Sequence, residues 1–458
     1  MVKMVNQIFD KEEIREEVAY LLPLVYARTF GASMRSKPRF DLDNLKHPIP
    51  TKSVIYRLDR VGAEYVGNVP EIQPVIAVKK YREAVERSSE DNVRSCRDEL
   101  DREDSVLFYS NELRLSMGEK TYIIYPESYS ATVTECYDRG YIFREFIHGD
   151  TLEKVALKEL RGKKEVEWSE LSEAVKNPLY PIALLHVKGN DLKRRLREGY
   201  IQRPTAEELV EDCVHYLWKI SEKKVSRDRI KEAVAESLLT LTETYFTENH
   251  FNTVINGDLD VYTQHIIISP EPSLSSRLLD AGSTQEGAFT RDLAVYTDPV
   301  FTQVKNVERG VSEEYNRIID MFKEHLRFPI SKFNLDEVSL GVCAAGCKGN
   351  IRRAASLINY KKAHYEGEGK LESFMKEVGS HLERSLYFGE KLIEEGGKVG
   401  GAAKKLLETI DSLCLFKDYA DYFNGKGNHQ QRENNKNDGK GSVKFAGLVE
   451  EVEVIKTQ

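Results

Sequence analysis

Val254-Ile-Asn-Gly-Asp-Leu-Asp-Val-Tyr-Thr-Gln-His-Ile-Ile-Ile268, followed by Leu278-Leu-Asp-Ala-Gly282, is the stretch whose reading decides the fold. It reads as two β-strands, each delivering an aspartate, Asp258 and Asp280, to one cleft. Two carboxylates presented in this way suit metal-assisted phosphoryl transfer: one positions the attacking hydroxyl, and the other holds the divalent ion that bridges the phosphates. A hairpin with polar turns would carry the same Gly-Asp dipeptide. The order of features upstream separates the two readings.

Pro74-Val-Ile-Ala-Val-Lys-Lys-Tyr81 is a short apolar run, a buried strand that carries Lys79 into a cleft. Val106, Tyr109, Leu113 and Met117 recur at spacings of three and four, which predicts an amphipathic helix from Asp104 to Met117. Glu112 lies on that helix as a partner for Lys79. Glu99 and Glu103 compete for the same place, because no spacing singles out Glu112. Tyr141-Ile-Phe-Arg-Glu-Phe-Ile-His-Gly-Asp-Thr-Leu152 reads as a strand that stops at a glycine and runs into a helix.

With these pieces in order, the chain resembles the protein-kinase-like superfamily, and within it the aminoglycoside and choline phosphotransferase branch. The matching pieces are Ile76-Ala-Val-Lys79, the hinge-like Arg144-Glu-Phe-Ile-His-Gly149, Ala183-Leu-Leu-His186, Asn256-Gly-Asp258, Asp280-Ala-Gly282 and Arg291-Asp-Leu-Ala294. They span roughly residues 51 to 300. The resemblance implies an α+β, bilobal fold with a small β-rich N-lobe and a mainly helical C-lobe. It also implies that Lys79, oriented by Glu112, holds the phosphates of ATP, and that the backbone of Glu145 and Ile147 faces the adenine. Asp258 is then the catalytic aspartate, Asp280 binds Mg2+, and Asp292 braces the catalytic loop from behind.

Several positions depart from the family's pattern. Asn256 stands where the catalytic loop usually has histidine, and Thr263 stands where a second metal ligand, an asparagine, is usual. Reading a two-residue insertion puts His265 in the metal-ligand place, or lets Gln264 supply a carbonyl oxygen instead. Imidazole suits Mn2+ or zinc better than Mg2+. Asp260 occupies a place where many relatives carry a cation facing the transferred phosphate. Arg60-Val-Gly-Ala-Glu-Tyr-Val-Gly67 is a thin phosphate-covering loop, and Arg144 is unusual just before a hinge.

Composition bounds the rest. At 458 residues the chain is long enough for two or three cores. A net charge of -8 with dispersed Lys and Arg excludes a basic footprint for nucleic acid. Lys193-Arg-Arg-Leu-Arg197 and Arg352-Arg353 read as solvated helix faces. No stretch reaches eighteen apolar residues, and Met1-Val-Lys-Met-Val-Asn-Gln lacks a signal-peptide core, so a cytoplasmic protein with no membrane partner is expected. Six cysteines are too scattered for a disulfide framework, and Cys343 and Cys347 read as buried thiols on a helix.

Along the chain, residues 1–50 read as an N-terminal extension beginning with a helix from Lys11 to Tyr26. Residues 51–149 read as the N-lobe and 150–423 as the helical C-lobe, with helix starts at Thr205 and Ser226. Leu371, Met375, Val378, Leu382 and Leu386 form an apolar stripe expected to pack in a core, and Gly396–Gly401 reads as a loop between helices. Residues 424–442 carry no aliphatic or aromatic side chain and are expected to be disordered, with 443–458 a C-terminal segment.

The expected activity is ATP-dependent phosphoryl transfer to a hydroxyl of a small molecule, with nucleotide and acceptor as the partners. Only about a dozen residues separate Asp280 from Arg291-Asp292, leaving no room for a long activation segment, which disfavours a protein Ser/Thr kinase of the same fold. The alternative from another class is a pseudokinase acting on protein partners as a regulator or scaffold.

Overall fold

Every residue of Ile76–Tyr81 is buried, which is the mark of a strand covered on both faces. In the computed structural model it is a central strand of a four-stranded antiparallel sheet ordered Arg39–Asn44, Ser53–Gly62, Ile76–Tyr81, Tyr141–Glu145. The register sets Ile55 opposite Lys79 and Ala77 opposite Arg144. The structure describes residues 11–44, 53–63, 65–66, 75–81, 90–131, 133–245, 252–259, 262–270, 274–326, 334–361 and 370–422. Asp260, Glu64 and Gly67 of the expected phosphate-covering loop, and residues 424–458 lie outside the described residues; of that loop, residues 60–62 end the strand Ser53–Gly62 and Tyr65–Val66 pairs with Ser33–Met34.

Two compact units emerge: Met1–Asp150 with Lys188–Ile201 and Ile266–Thr284, and Thr151–Val187 with Gln202–His265 and Gln285–Gln458. The class is α+β, with the strands named above in the first unit and long helices dominating the second.

In the first unit, the helix Lys11–Thr29 buries Ile14, Val18, Leu21, Leu22 and Val25, a helical stripe. Its Glu17 pairs with the buried Lys80 at 3.0 Å. The helix expected over 104–117 instead spans Glu90–Asn111. Leu115–Met117 turns back as a hairpin with Lys120–Tyr122, because Gly118, at a φ of 62°, supplies the left-handed residue that a two-residue turn requires. The apolar positions credited to helical spacing therefore belong to two different elements. A second hairpin pairs Ile266–Ser269 with Ser275–Leu278. At Gly149 a β-carbon would lie 2.1 Å from the Ile268 carbonyl oxygen, so only glycine fits where the hinge-like segment ends.

In the second unit, Thr205 caps Ala206–Ile220 through a reciprocal box with Glu208, as its sequence predicts. That helix buries Leu209, Cys213, Leu217 and Ile220 on one face. Leu335–Lys361 packs against the short helices at 290–297 because Gly341 and Gly346 let the backbones approach; a β-carbon at either would meet Thr290 or Thr297 at 2.7 Å. Cys343 and Cys347 lie buried on it, as read. In Lys370–Glu395 the buried face runs through Phe374, Val378, Leu382, Ser385 and Phe388, while Leu371 is exposed. The stripe read from the sequence is rotated because two phenylalanines, not two leucines, fill the core. Gly396–Gly401 is not a loop: Gly396 and Gly397 make the break with positive φ, and the helix Gly397–Ser412 begins at once. Gly400 is required inside it, where a β-carbon would come within 2.9 Å of the Leu392 carbonyl. Among the described residues no helix is long and apolar enough to cross a membrane.

Candidate active site

The Lys79 group is built from three segments of the first unit. The strand Ile76–Tyr81 presents the lysine, and its ammonium donates to both oxygens of Glu103 at 2.8 Å. Both side chains are nearly inaccessible, at 8% and 0%. The Tyr81 hydroxyl also donates to Glu103. Burial, then the Glu103 charge, drive that phenol well above its usual pKa, so it stays protonated and can donate to the carboxylate. Asp280 enters from the segment after Ser275–Leu278, with its Oδ1 3.5 Å from the Lys79 ammonium. Its backbone is left-handed, with φ at 57°, and its side chain is one-third exposed. An aspartate is among the residues that adopt this conformation readily. Arg102 fixes the next turn by donating to the Gly282 carbonyl at 2.6 Å.

Glu112 does not take the expected place. It follows the last helical residue, is 44% exposed and pairs with Arg195. Glu103 lies one helical turn after the buried Leu100 and one before the buried Leu107, so its carboxylate faces the sheet. Arg144 is buried on the same strand face as Ala77 and brings Nη1 to 3.8 Å from Glu103, while its Nε has no hydrogen-bond partner. The Glu145 amide is committed to the Glu127 carbonyl at 2.8 Å.

The Asp258 group belongs to the second unit. Asn252–Ile255 pairs antiparallel with Gln285–Ala288, and the chain then turns at Gly257, whose φ is 75°. This turn is held from behind. Asp292 accepts the Asn256 amide at 2.8 Å and the Gly257 amide at 3.4 Å. His186 joins the Asp292 carboxylate at 3.1 Å and the Tyr315 hydroxyl at 2.9 Å. The Asn256 side chain in turn accepts the Asp258 amide at 3.3 Å, so asparagine serves the loop where a histidine was usual.

Asp258 is mostly buried and ion-paired with Arg352 from the helix Leu335–Lys361. The same guanidinium donates to the Gly257 carbonyl at 3.1 Å, and Arg291 donates there at 3.2 Å. Arg352 and Arg353 are therefore not a solvated face; Arg353 is 6% exposed and covers the Tyr262 ring at 4.6 Å. The imidazole of His265 stacks on the other ring contact of Tyr262, 5.1 Å between centroids. Its Nδ1 lies 3.9 Å from Asp258 Oδ2, and this buried nitrogen has no hydrogen-bond partner. An orphaned imidazole nitrogen beside a carboxylate fits a divalent cation by donor chemistry. Gln264 spends its amide on Glu153 at 2.7 Å. Sequence reasoning missed Arg352: no spacing signals a contact formed across 94 positions.

No protein-family model matches the chain. No curated protein matches it either. Among solved structures it is similar to an ethanolamine kinase from Plasmodium vivax, at 12% identity and a TM-score of 0.45, covering 82% of this chain and 89% of that one. It is also similar to a choline kinase from Cryptosporidium parvum Iowa II, at 12% and 0.48, covering 78% and 91%. A choline kinase from Streptococcus pneumoniae matches at 12% and 0.42, covering 82% and 98%.

Proposed function

We propose that the protein is an ATP-dependent phosphotransferase that moves the γ-phosphoryl group to a hydroxyl of a small molecule. The observation that carries this reading is the buried Lys79–Glu103 pair with Asp280 at 3.5 Å. Burying an ammonium and a carboxylate costs more than an exposed pair returns, and such groups concentrate at functional sites. Here they coincide with the motif order of the phosphotransferases.

In this reading Lys79 clamps the phosphates, held in place by Glu103. The Glu145 carbonyl and the Ile147 backbone meet the purine, because the Glu145 amide is already taken. Asp280 holds a divalent cation, Mg2+ or Mn2+, beside the Lys79 ammonium. That ion, when bound, neutralises charge on the phosphates. Asp258 orients the acceptor hydroxyl and takes up its proton. Cys136, Cys213, Cys343, Cys347 and Cys414 are free thiols, which supports a cytoplasmic location.

A pseudokinase is the second reading, favoured by one observation: a guanidinium already occupies the Asp258 carboxylate. Transfer of label from γ-labelled ATP to a panel of hydroxylated small molecules separates the two. The enzyme reading expects transfer by the wild type and a loss of about 100-fold or more in Asp258→Ala with nucleotide binding retained. Equal transfer by both proteins would show that Asp258 is misassigned, and no transfer by either would favour the pseudokinase.

A further inference from the structure

The sequence around Asp258, residues 256–264, contains no lysine or arginine. Its cation arrives from the helix Leu335–Lys361. Gly341 and Gly346 bring that helix close to Thr290 and Thr297. One turn beyond Gly346, Asn350 fastens the approach by donating to the Thr297 carbonyl at 3.3 Å and meeting His381 at 2.9 Å. Arg352 follows two residues later.

Its guanidinium makes two contacts that a point charge could not make together. One nitrogen donates to the Gly257 carbonyl at 3.1 Å, and another donates to Asp258 Oδ1. Arg352 and Asp258 are only 22% and 19% exposed, so this is not a screened surface pair. The alternative anchors of the loop hold its backbone: Asp292 takes the amides of 256 and 257, and Arg291 takes the carbonyl of 257. The Arg352 pair holds Oδ1 of the Asp258 carboxylate, and Oδ2 lies 3.9 Å from His265 Nδ1.

We propose that Arg352 is the positioning residue of Asp258, a guanidinium that bridges the Gly257 carbonyl and Asp258 Oδ1 and so fixes the orientation of the carboxylate towards the acceptor. The proposal rests on the phosphotransferase reading above. A misplaced catalytic group costs rate while the nucleotide's own contacts remain, so the loss falls on kcat and spares KM for ATP.

The test is the release of phosphate from ATP with Mg2+, using water as the acceptor. In that reaction the water oxygen bonds to the γ-phosphorus, the bond to the bridging oxygen breaks with its electron pair leaving on ADP, and the water proton passes to Asp258 and on to solvent. Arg352→Ala is expected to lower kcat by about 10- to 100-fold with KM for ATP within about twofold. Arg352→Lys keeps the charge but cannot bridge both oxygens, and is expected to recover part of the loss. If Arg352→Ala does not fold, Arg352→Lys carries the test, with kcat still reduced and KM unchanged. A kcat unchanged or raised in the variants would overturn the proposal, the raised value marking Arg352 as a mask on Asp258. Equal losses in kcat and in ATP affinity would reduce it to a structural contact. A wild type that neither releases phosphate nor transfers label to the hydroxylated panel would instead sink the phosphotransferase reading on which the proposal stands.

Discussion

Glu103 and Glu112 stand nine residues apart, and their surroundings could hardly differ more. Glu103 is fully buried against Lys79 and Tyr81, whereas Glu112 is a half-exposed partner of Arg195. Replacing Glu103 by Gln removes the fully buried countercharge of Lys79 and leaves only the one-third exposed Asp280 at 3.5 Å, which is expected to cost about 3 kcal/mol. Glu112→Gln is expected to change stability by no more than about 0.5 kcal/mol. Urea unfolding of the two variants measures this, and equal losses would mean that the pair contributes nothing particular. The lysine was legible from its apolar run, but its partner was not. A strand shows which residue ends up inside, while the choice among Glu99, Glu103 and Glu112 depends on where a helix begins and on which face it turns to the sheet. Arg352 shows the same limit: a basic dipeptide on a helix reads as solvated until the loop it covers is known.

At the scale of elements, the helix Glu90–Asn111 is fastened by a carboxylate that the motif reading did not use. Asp104 is fully buried and accepts from Ser128, from Ser130 at 2.7 Å and from Tyr137 at 3.0 Å. Burial outweighs these donors and pushes its pKa up to about 7. The unfolded chain holds such a proton only to about pH 4. A carboxyl whose folded pKa is raised gives stability that is present below pH 4 and is lost as the pH rises towards 7. Stability measured by urea between pH 4 and 7 is therefore expected to fall more steeply in the wild type than in Asp104→Asn. Identical slopes would mean that Asp104 is ionised throughout. Elements with strong local signals were legible, such as the Thr205 cap and the Ile76–Tyr81 strand. The helix expected at 104–117 was not, because apolar residues at spacings of three and four also arise where a helix end is followed by a hairpin. The glycines at 396–401 misled for a related reason: two of them break the chain, and another permits a close helix contact.

For the whole molecule, the α+β class was readable because strands and helix caps carry short-range patterns. The two compact units were less so. Each gathers three separate stretches of chain, and nothing in local composition marks Lys188–Ile201 or Ile266–Thr284 as belonging with the first. The functional reading depends on Lys79 and Asp280 forming a nucleotide and metal site, and this is most directly tested by the melting temperature of the full chain with and without ATP, with Mg2+ and with Mn2+, beside Asp280→Asn. A ligand that binds only the folded state raises the melting point. The account predicts a metal-dependent rise with ATP in the wild type that Asp280→Asn abolishes; no rise with either metal, or an equal rise in the variant, would contradict it.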